Sequence, residues 1–127
     1  IQACVQKGLP LNHDINGQHQ EGAGWLQYTM KKSKRQSTAK AFLEPVIKRS
    51  NLTIVTGALC KKLVLQHKRV IGVDFITQNS STLTARAKQE VILCAGAFES
   101  PKILMLSGIG SKDELKKHGI TVQHELE

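Results

Sequence analysis

The sequence predicts a mixed α/β fold: a three-stranded antiparallel β-meander, then a buried strand, two short helices and a final strand, all preceded by a loop-rich segment. Three observations carry this. Short alternating apolar runs separated by turn residues lie between Leu59 and Ala87, the pattern of hairpins rather than helices. The run Val91-Ile92-Leu93-Cys94-Ala95 is apolar without alternation, as expected of a strand buried on both faces of a layered sheet. Glycine, proline and Asx residues crowd residues 8–24, which is turn chemistry.

The elements follow in chain order. Gly8, Pro10, Asn12, Asp14, Asn16, Gly17, Gly22 and Gly24 mark a long loop. A short strand is expected over Trp25–Met30, ending at the basic run Lys31, Lys32, Lys34, Arg35. Ser37 or Thr38 can cap a helix whose apolar residues Phe42, Leu43, Val46 and Ile47 are at helical spacing. Pro45 should kink it or start a second short helix. Leu52–Thr56 reads as a short β-branched run. Leu59–Gln66 and Val70–Thr77 flank a turn at His67-Lys68-Arg69, and Thr82–Ala87 follows a turn at Asn79-Ser80-Ser81. The buried strand stops at Gly96. Ser100 and Pro101 then read as the N-cap and first residue of a helix, with Gly108 as its left-handed end. Ser111-Lys112-Asp113-Glu114 has capping-box form and opens a last helix ending near Gly119. Ile120–His124 reads as the final strand.

Bulk properties exclude several classes. No apolar run approaches the ~20 residues that span a bilayer. No charged-then-apolar leader follows Ile1, so no secretory signal is expected, and the missing Met suggests a processed or excised chain. The cysteines Cys4, Cys60 and Cys94 are far apart and odd in number, favouring free thiols over a disulfide framework or zinc site. Cys94 is expected to be buried packing. The five histidines show no ligand spacing, so no metal site is expected. The net charge of +8 and the run Lys31–Arg35 raise a nucleic-acid module as a rival reading. With aromatics at 4%, however, platforms for stacking bases are scarce, and a solvated loop is favoured. A non-catalytic interaction segment is the second rival.

A strand that ends in glycine before a helix lets a ligand approach the backbone without a Cβ in the way. The carboxyl ends of such strands are where open α/β sheets place ligands. Ala95, Gly96 and Ala97 are therefore candidate cofactor contacts, although an ordinary tight turn fits the same pattern.

The residues from Gly96 to Gly110 add a specific likeness. Gly96-Ala97, Ser100-Pro101, Ile103-Leu104 and Ser107-Gly108-Ile109-Gly110 together resemble the second signature of the glucose–methanol–choline oxidoreductases. The likeness runs through nearly the whole chain. It includes Asp14-Ile15-Asn16-Gly17, Gln20-Glu21-Gly22, Arg35-x-Ser37-x-Ala39, Pro45, Asn51-Leu52-Thr53, Thr56-Gly57-Ala58, Arg69, Gly72-Val73 and Glu90–Leu93. Choline-dehydrogenase-like members are the most similar subgroup.

The resemblance implies that residues 1–49 are a piece of a substrate domain. It implies that residues 50–127 are part of an FAD-binding layered α/β domain. It also implies a parent enzyme that transfers a hydride from a primary alcohol to FAD. A small alcohol and an electron acceptor would be its partners, with no nucleic acid among them. A cytoplasmic location is implied, with peripheral membrane attachment of the parent as an alternative. By position, Cys60, usually valine in relatives, would hold the adenine through its backbone, and Ala95 and Gly96 would lie near the flavin nucleotide. Glu99, often asparagine in relatives, is a second departure.

Two family parts have no counterpart. Gly22-x-Gly24 lacks a preceding apolar strand and a third glycine, so it is not the pyrophosphate-binding turn. None of the five histidines matches the family's proton-accepting histidine, so no catalytic residue is assigned. The isolated chain is expected neither to hold FAD tightly nor to oxidise alcohols.

Overall fold

The chain divides into two units, Ile1–Thr53 and Ile54–Glu127. A computed structural model describes residues 1–78 and 81–126.

In the first unit, order comes from short-range hydrogen bonds. Helix α1 (Gln2–Gln6), not anticipated from the sequence, is five residues long with no side-chain cap. The loop that follows is organised by Asn12. Its Nδ2 donates to the carbonyls of His19 (2.8 Å) and Glu21 (3.2 Å), and its Oδ1 accepts the Asp14 N–H (2.9 Å). Such side-chain-to-backbone bonds are why Asn and Asp favour turns.

The strand expected over Trp25–Met30 does not form there. Strand β1 is Met30–Lys31 and pairs with β2, Lys34–Arg35, around Lys32 (φ 49°) and Ser33 (φ 59°). The basic run is thus a tight hairpin, with the paired left-handed residues that match strand twist. Trp25–Tyr28 has no partner strand among the described residues, and without a ladder an extended run is not a strand.

The expected kinked helix forms as two short pieces, a π-helical turn over Ala39–Leu43 and a 3-10 turn over Glu44–Val46. Pro45 explains the split. It has no N–H for the carbonyl of Ala41, and the wider bond from Glu44 N–H to Ala39 O takes over. The run Leu52–Thr56 is not a strand either.

In the second unit the alternating pattern governs. Strands β3 (Ala58–Gln66) and β4 (Arg69–Thr77) are nine residues each and antiparallel. They turn on two residues, His67 (φ 48°) and Lys68 (φ 64°), rather than three. Strand β5 (Leu83–Arg86) pairs with β4, giving the order β3-β4-β5 and the expected meander. The Asn79-Ser80 part of its turn lies outside the described residues.

The run Val91–Ala95 departs from expectation. It has no strand partner among the described residues, and Ala95 at its end is a bend (φ −85°, ψ 0°). Val91 and Leu93 pack against the core cluster, whereas Ile92 is 77% exposed and Cys94 is exposed. A strand buried on both faces needs neighbouring strands and a second covering layer. Here one face alone is covered, so Cys94 is not buried packing.

Helix α2 (Gly96–Leu106) starts four residues before Ser100-Pro101, with Ala95 as its N-cap and Pro101 inside it. Gly108 (φ 81°) follows the Ser107 C-cap as expected, and a Cβ there would meet Thr121 O. Strand β6 (Ile109–Gly110) follows, then α3 (Lys112–Lys117) capped at Ser111. The capping-box hydrogen bond itself is not made, since Ser111 forms no side-chain cap bond. The final strand, β7, is His124–Glu125, two residues long and parallel to β6. It starts later than Ile120: its ladder to β6 opens with His124 N–H to Gly108 O (3.1 Å) and continues with Leu126 N–H to Gly110 O (3.1 Å).

Leu63 of β3, Ile103 of α2 and Ile109 of β6 form the buried cluster, with Cys60 and Val73 partly buried against it. Two separate globular units of these lengths would together expose about 8,000 Å². The accessible surface here is 11022 Å². The apolar surface is correspondingly open, with Trp25 at 83% and Phe98 at 89% exposure.

Candidate functional site

The residues singled out by the sequence fall on two packed elements of the second unit. Ala95, Gly96 and Ala97 form the N-terminal end of α2, and Cys60 lies near the start of β3. Ile103 of α2 and Leu63 of β3 meet in the buried cluster between them.

At the helix end, Gly96 has φ 94°, a backbone state that side chains rarely adopt. A Cβ built there meets nothing within 4 Å. The glycine is therefore required by the turn, and it leaves open space above the backbone. Ser100 shapes this end differently from a cap. Its Oγ accepts the Ala95 N–H at 3.0 Å, from inside the helix. The N–H groups of Gly96, Ala97 and Phe98 have no carbonyl four residues back within the helix, so they face outward as donors. Glu99, the position that departs from the family pattern, is occupied by an exposed pair with Lys102 (3.1 Å).

Cys60 is half-buried. Burial pushes its thiol above the ordinary range, and the Asp74 carboxylate adds to this. It sits where the register with β4 shifts, between the pairs Cys60↔Phe75 and Lys62↔Asp74. A bulge of this kind leaves backbone polar groups outside the ladder. Cys60 lines a groove of about 370 Å³ with Lys61, Glu99, Lys102 and Ile103. Ala95, Gly96 and Ala97 do not line it. The two sets of residues are thus carried on packed elements without sharing one cavity.

Ser107, which the sequence marks only as part of the signature, has a clear structural role. Ser107, 6% exposed, accepts the Leu63 N–H (2.8 Å) and donates to Ile103 O (2.6 Å). A signal existed: it is a lone hydroxyl next to the apolar face Ile103, Leu104, Leu106, and such a residue bonds back to the carbonyl four residues earlier.

A family model described as GMC oxidoreductase matches residues 1–124. The chain belongs to the GMC oxidoreductase family. It is 42% identical over 127 residues to "Alcohol dehydrogenase [acceptor]" of Pseudomonas putida, covering 99% of this chain and 23% of that protein. It is 45% identical to "Oxygen-dependent choline dehydrogenase" of Pectobacterium atrosepticum, covering 99% of this chain and 22% of that protein. Among solved structures, an FAD-dependent oxidoreductase from Chaetomium thermophilum superposes with a TM-score of 0.84 at 30% identity. That match covers 98% of this chain and 22% of the other. The chain therefore spans under a quarter of the length of these GMC relatives.

FAD is the cofactor of GMC oxidoreductases, and the residues present can be tested against it. The open space above Gly96, the outward amides of α2 and the bulged backbone at Cys60 suit the edge of a large polar ligand. No arrangement here encloses one: Ala95, Gly96 and Ala97 are all exposed. The residues fit one wall of the site. Among the described residues, no helix is long and apolar enough to cross a membrane.

Proposed function

We propose that this chain is an internal portion of an FAD-dependent alcohol oxidoreductase, and that it supplies one wall of the FAD site. Residues 50–127 belong to the FAD-binding domain and residues 1–49 to the substrate domain. The observation that carries this reading is the glycine turn at Gly96, open above its backbone, at the start of α2 in a chain with these relatives.

The amides at the start of α2, at Gly96 and Ala97, orient an anionic or carbonyl group of the cofactor by hydrogen bonding. Ala95 has its own N–H committed to Ser100, which fixes the turn. Cys60 holds the adenine through its backbone, so a thiol in place of an aliphatic side chain is tolerated. FAD, when bound, supplies the hydride acceptor for a primary alcohol such as choline. The proton-accepting histidine comes from a part of the parent outside this chain. A small alcohol and an electron acceptor are its partners, and nucleic acid is not.

The test is flavin absorbance. The 127-residue chain purified alone should be colourless. The full-length protein should purify with an oxidised-flavin spectrum that choline or another primary alcohol bleaches. A bound-flavin spectrum in the short chain, or a colourless full-length protein that FAD cannot reconstitute, overturns the proposal.

A further inference from the structure

We infer that Ser107 is a positioning residue for the cofactor site, a single buried hydroxyl that sets β3 against α2. The inference rests on the reading of Cys60 and Ala95–Ala97 as cofactor walls, because it concerns how those walls are held in register.

Strand β3 is an edge of the sheet, so its outer N–H and C=O groups find no strand partner in the β3-β4-β5 order. At Leu63 that edge is buried, and a buried amide needs an acceptor. Ser107 Oγ is that acceptor at 2.8 Å, across 44 residues of sequence. The same oxygen donates its proton to Ile103 O at 2.6 Å, which orients it and uses its one hydrogen. Apolar contact between Leu63 and Ile103 is non-directional and permits sliding. The two hydrogen bonds are directional and fix one register.

Both walls lie a short way from this tie. Cys60 is three residues upstream of Leu63, beyond the bulge. Ala95–Ala97 lie at the other end of α2, a rod of about 16 Å. Releasing the tie lets the strand shift along the helix while the rest of the core stays packed.

The experiment uses the full-length flavoprotein, stripped of FAD and refolded as apoprotein, in five forms: wild type, Ser107→Ala, Ser107→Thr, Ser107→Cys and Gly96→Ala. Two quantities are read well below the melting temperature. One is the FAD dissociation constant, from quenching of flavin fluorescence. The other is deuterium uptake of the peptide that contains Leu63. In Ser107→Ala, the Leu63 amide should exchange faster and the FAD constant should rise about tenfold, the factor for one buried hydrogen bond. Ser107→Thr keeps the hydroxyl and should recover most of both.

A role confined to stability would lower the melting temperature and leave FAD affinity of the folded protein unchanged. That result overturns the inference. If Ser107→Ala does not fold, Ser107→Thr and Ser107→Cys decide it, because affinity should fall in order of hydrogen-bond strength. No such order overturns it. Gly96→Ala separates the two readings. If it weakens FAD while the Ser107 variants do not, this inference alone fails. If neither does, the assignment of the cofactor wall fails first.

Discussion

The two units use different kinds of order. All the described buried side chains (Leu63, Ile103, Ile109, Leu115 and Ser107) lie in the second unit, and none lies in Ile1–Thr53. The second unit joins nine-residue strands to an eleven-residue helix through a shared cluster. The first is a series of turns, two-residue strands and a split helix, tied by local hydrogen bonds such as those of Asn12. Apolar side chains are not missing from it: Trp25, Leu26, Tyr28 and Phe42 are all present and exposed. What it lacks is a surface against which to bury them. Hydrophobic residues stabilise only when area leaves the water, so apolar side chains of the same kinds give unequal stability in the two units.

The largest effect should come from cutting into the cluster. Leu63→Ala removes a side chain 5% exposed and should cost about 2–5 kcal/mol, enough to abolish a cooperative transition of the second unit. Phe42→Ala, at 71% exposure in the first unit, should change stability by less than about 0.5 kcal/mol. Urea titration followed by circular dichroism measures both. Equal losses would break the contrast between the units.

Glycines sharpen the same contrast at a smaller scale. Gly108 and Gly8 have similar φ values, 81° and 93°. A Cβ at Gly108 would meet Thr121 O and lie 2.8 Å from Gln123 Cγ, whereas at Gly8 it meets nothing. Gly108→Ala should therefore add a steric cost to the backbone strain and exceed Gly8→Ala, which costs about 1 kcal/mol from strain alone. Thermal melts of the two variants check the order.

What the sequence made legible follows the same division. Ile71, Val73 and Phe75 alternate along β4, and that local period suffices to find a hairpin whose partner is the next segment. Gly108 was legible as a helix end because a left-handed C-cap is a one-residue signal. The start of α2 was misread because Ser100-Pro101 has the form of a cap, whereas Ser100 works from inside the helix by reaching back to Ala95. Val91–Ala95 and Trp25–Met30 were misread for another reason. Strand identity depends on a partner, and no window of sequence shows whether the partner is near. For the candidate site, the glycine turn was visible in the residues. The bond from Ser107 to Leu63 was not, since it joins positions 44 apart.

Thiol chemistry offers a gentler probe. Cys4, in the first unit, and Cys94 are exposed, whereas Cys60 is half-buried. Burial, with the charge of Asp74 second, raises the Cys60 thiol, so less thiolate is present at a given pH. With an aromatic disulfide reagent at mildly alkaline pH, Cys4 and Cys94 should react in a fast phase and Cys60 in a slow one. Asp74→Asn removes the second cause and should speed the slow phase. The linkage has a definite sign. The folded state holds the thiol proton more tightly, so this contribution is fully present below the unfolded thiol's range and is lost as pH rises through the raised folded value. Fast, equal reaction of all three thiols would show that β3 is not held against α2.

The smallest effect concerns a surface carboxylate of the second unit. Glu114 Oε2 accepts from Lys117 Nζ at 3.1 Å, and Oε1 lies 3.2 Å from His118 Nε2, all on or just after α3. The Lys117 hydrogen bond, then that of His118, holds the carboxyl below its usual range. Its contribution is therefore present above the unfolded carboxylate range and is lost as pH falls through the lower folded value. Because the carboxyl is open to solvent, water and salt screen the pair, and only a local signal should follow. Lys117→Met should move the Glu114 carboxyl titration, read by carbon NMR, back up toward the usual range without altering the urea midpoint. A midpoint shift comparable to that of Gly108→Ala would mean that surface pairs, and not only the Leu63 cluster, hold this unit together.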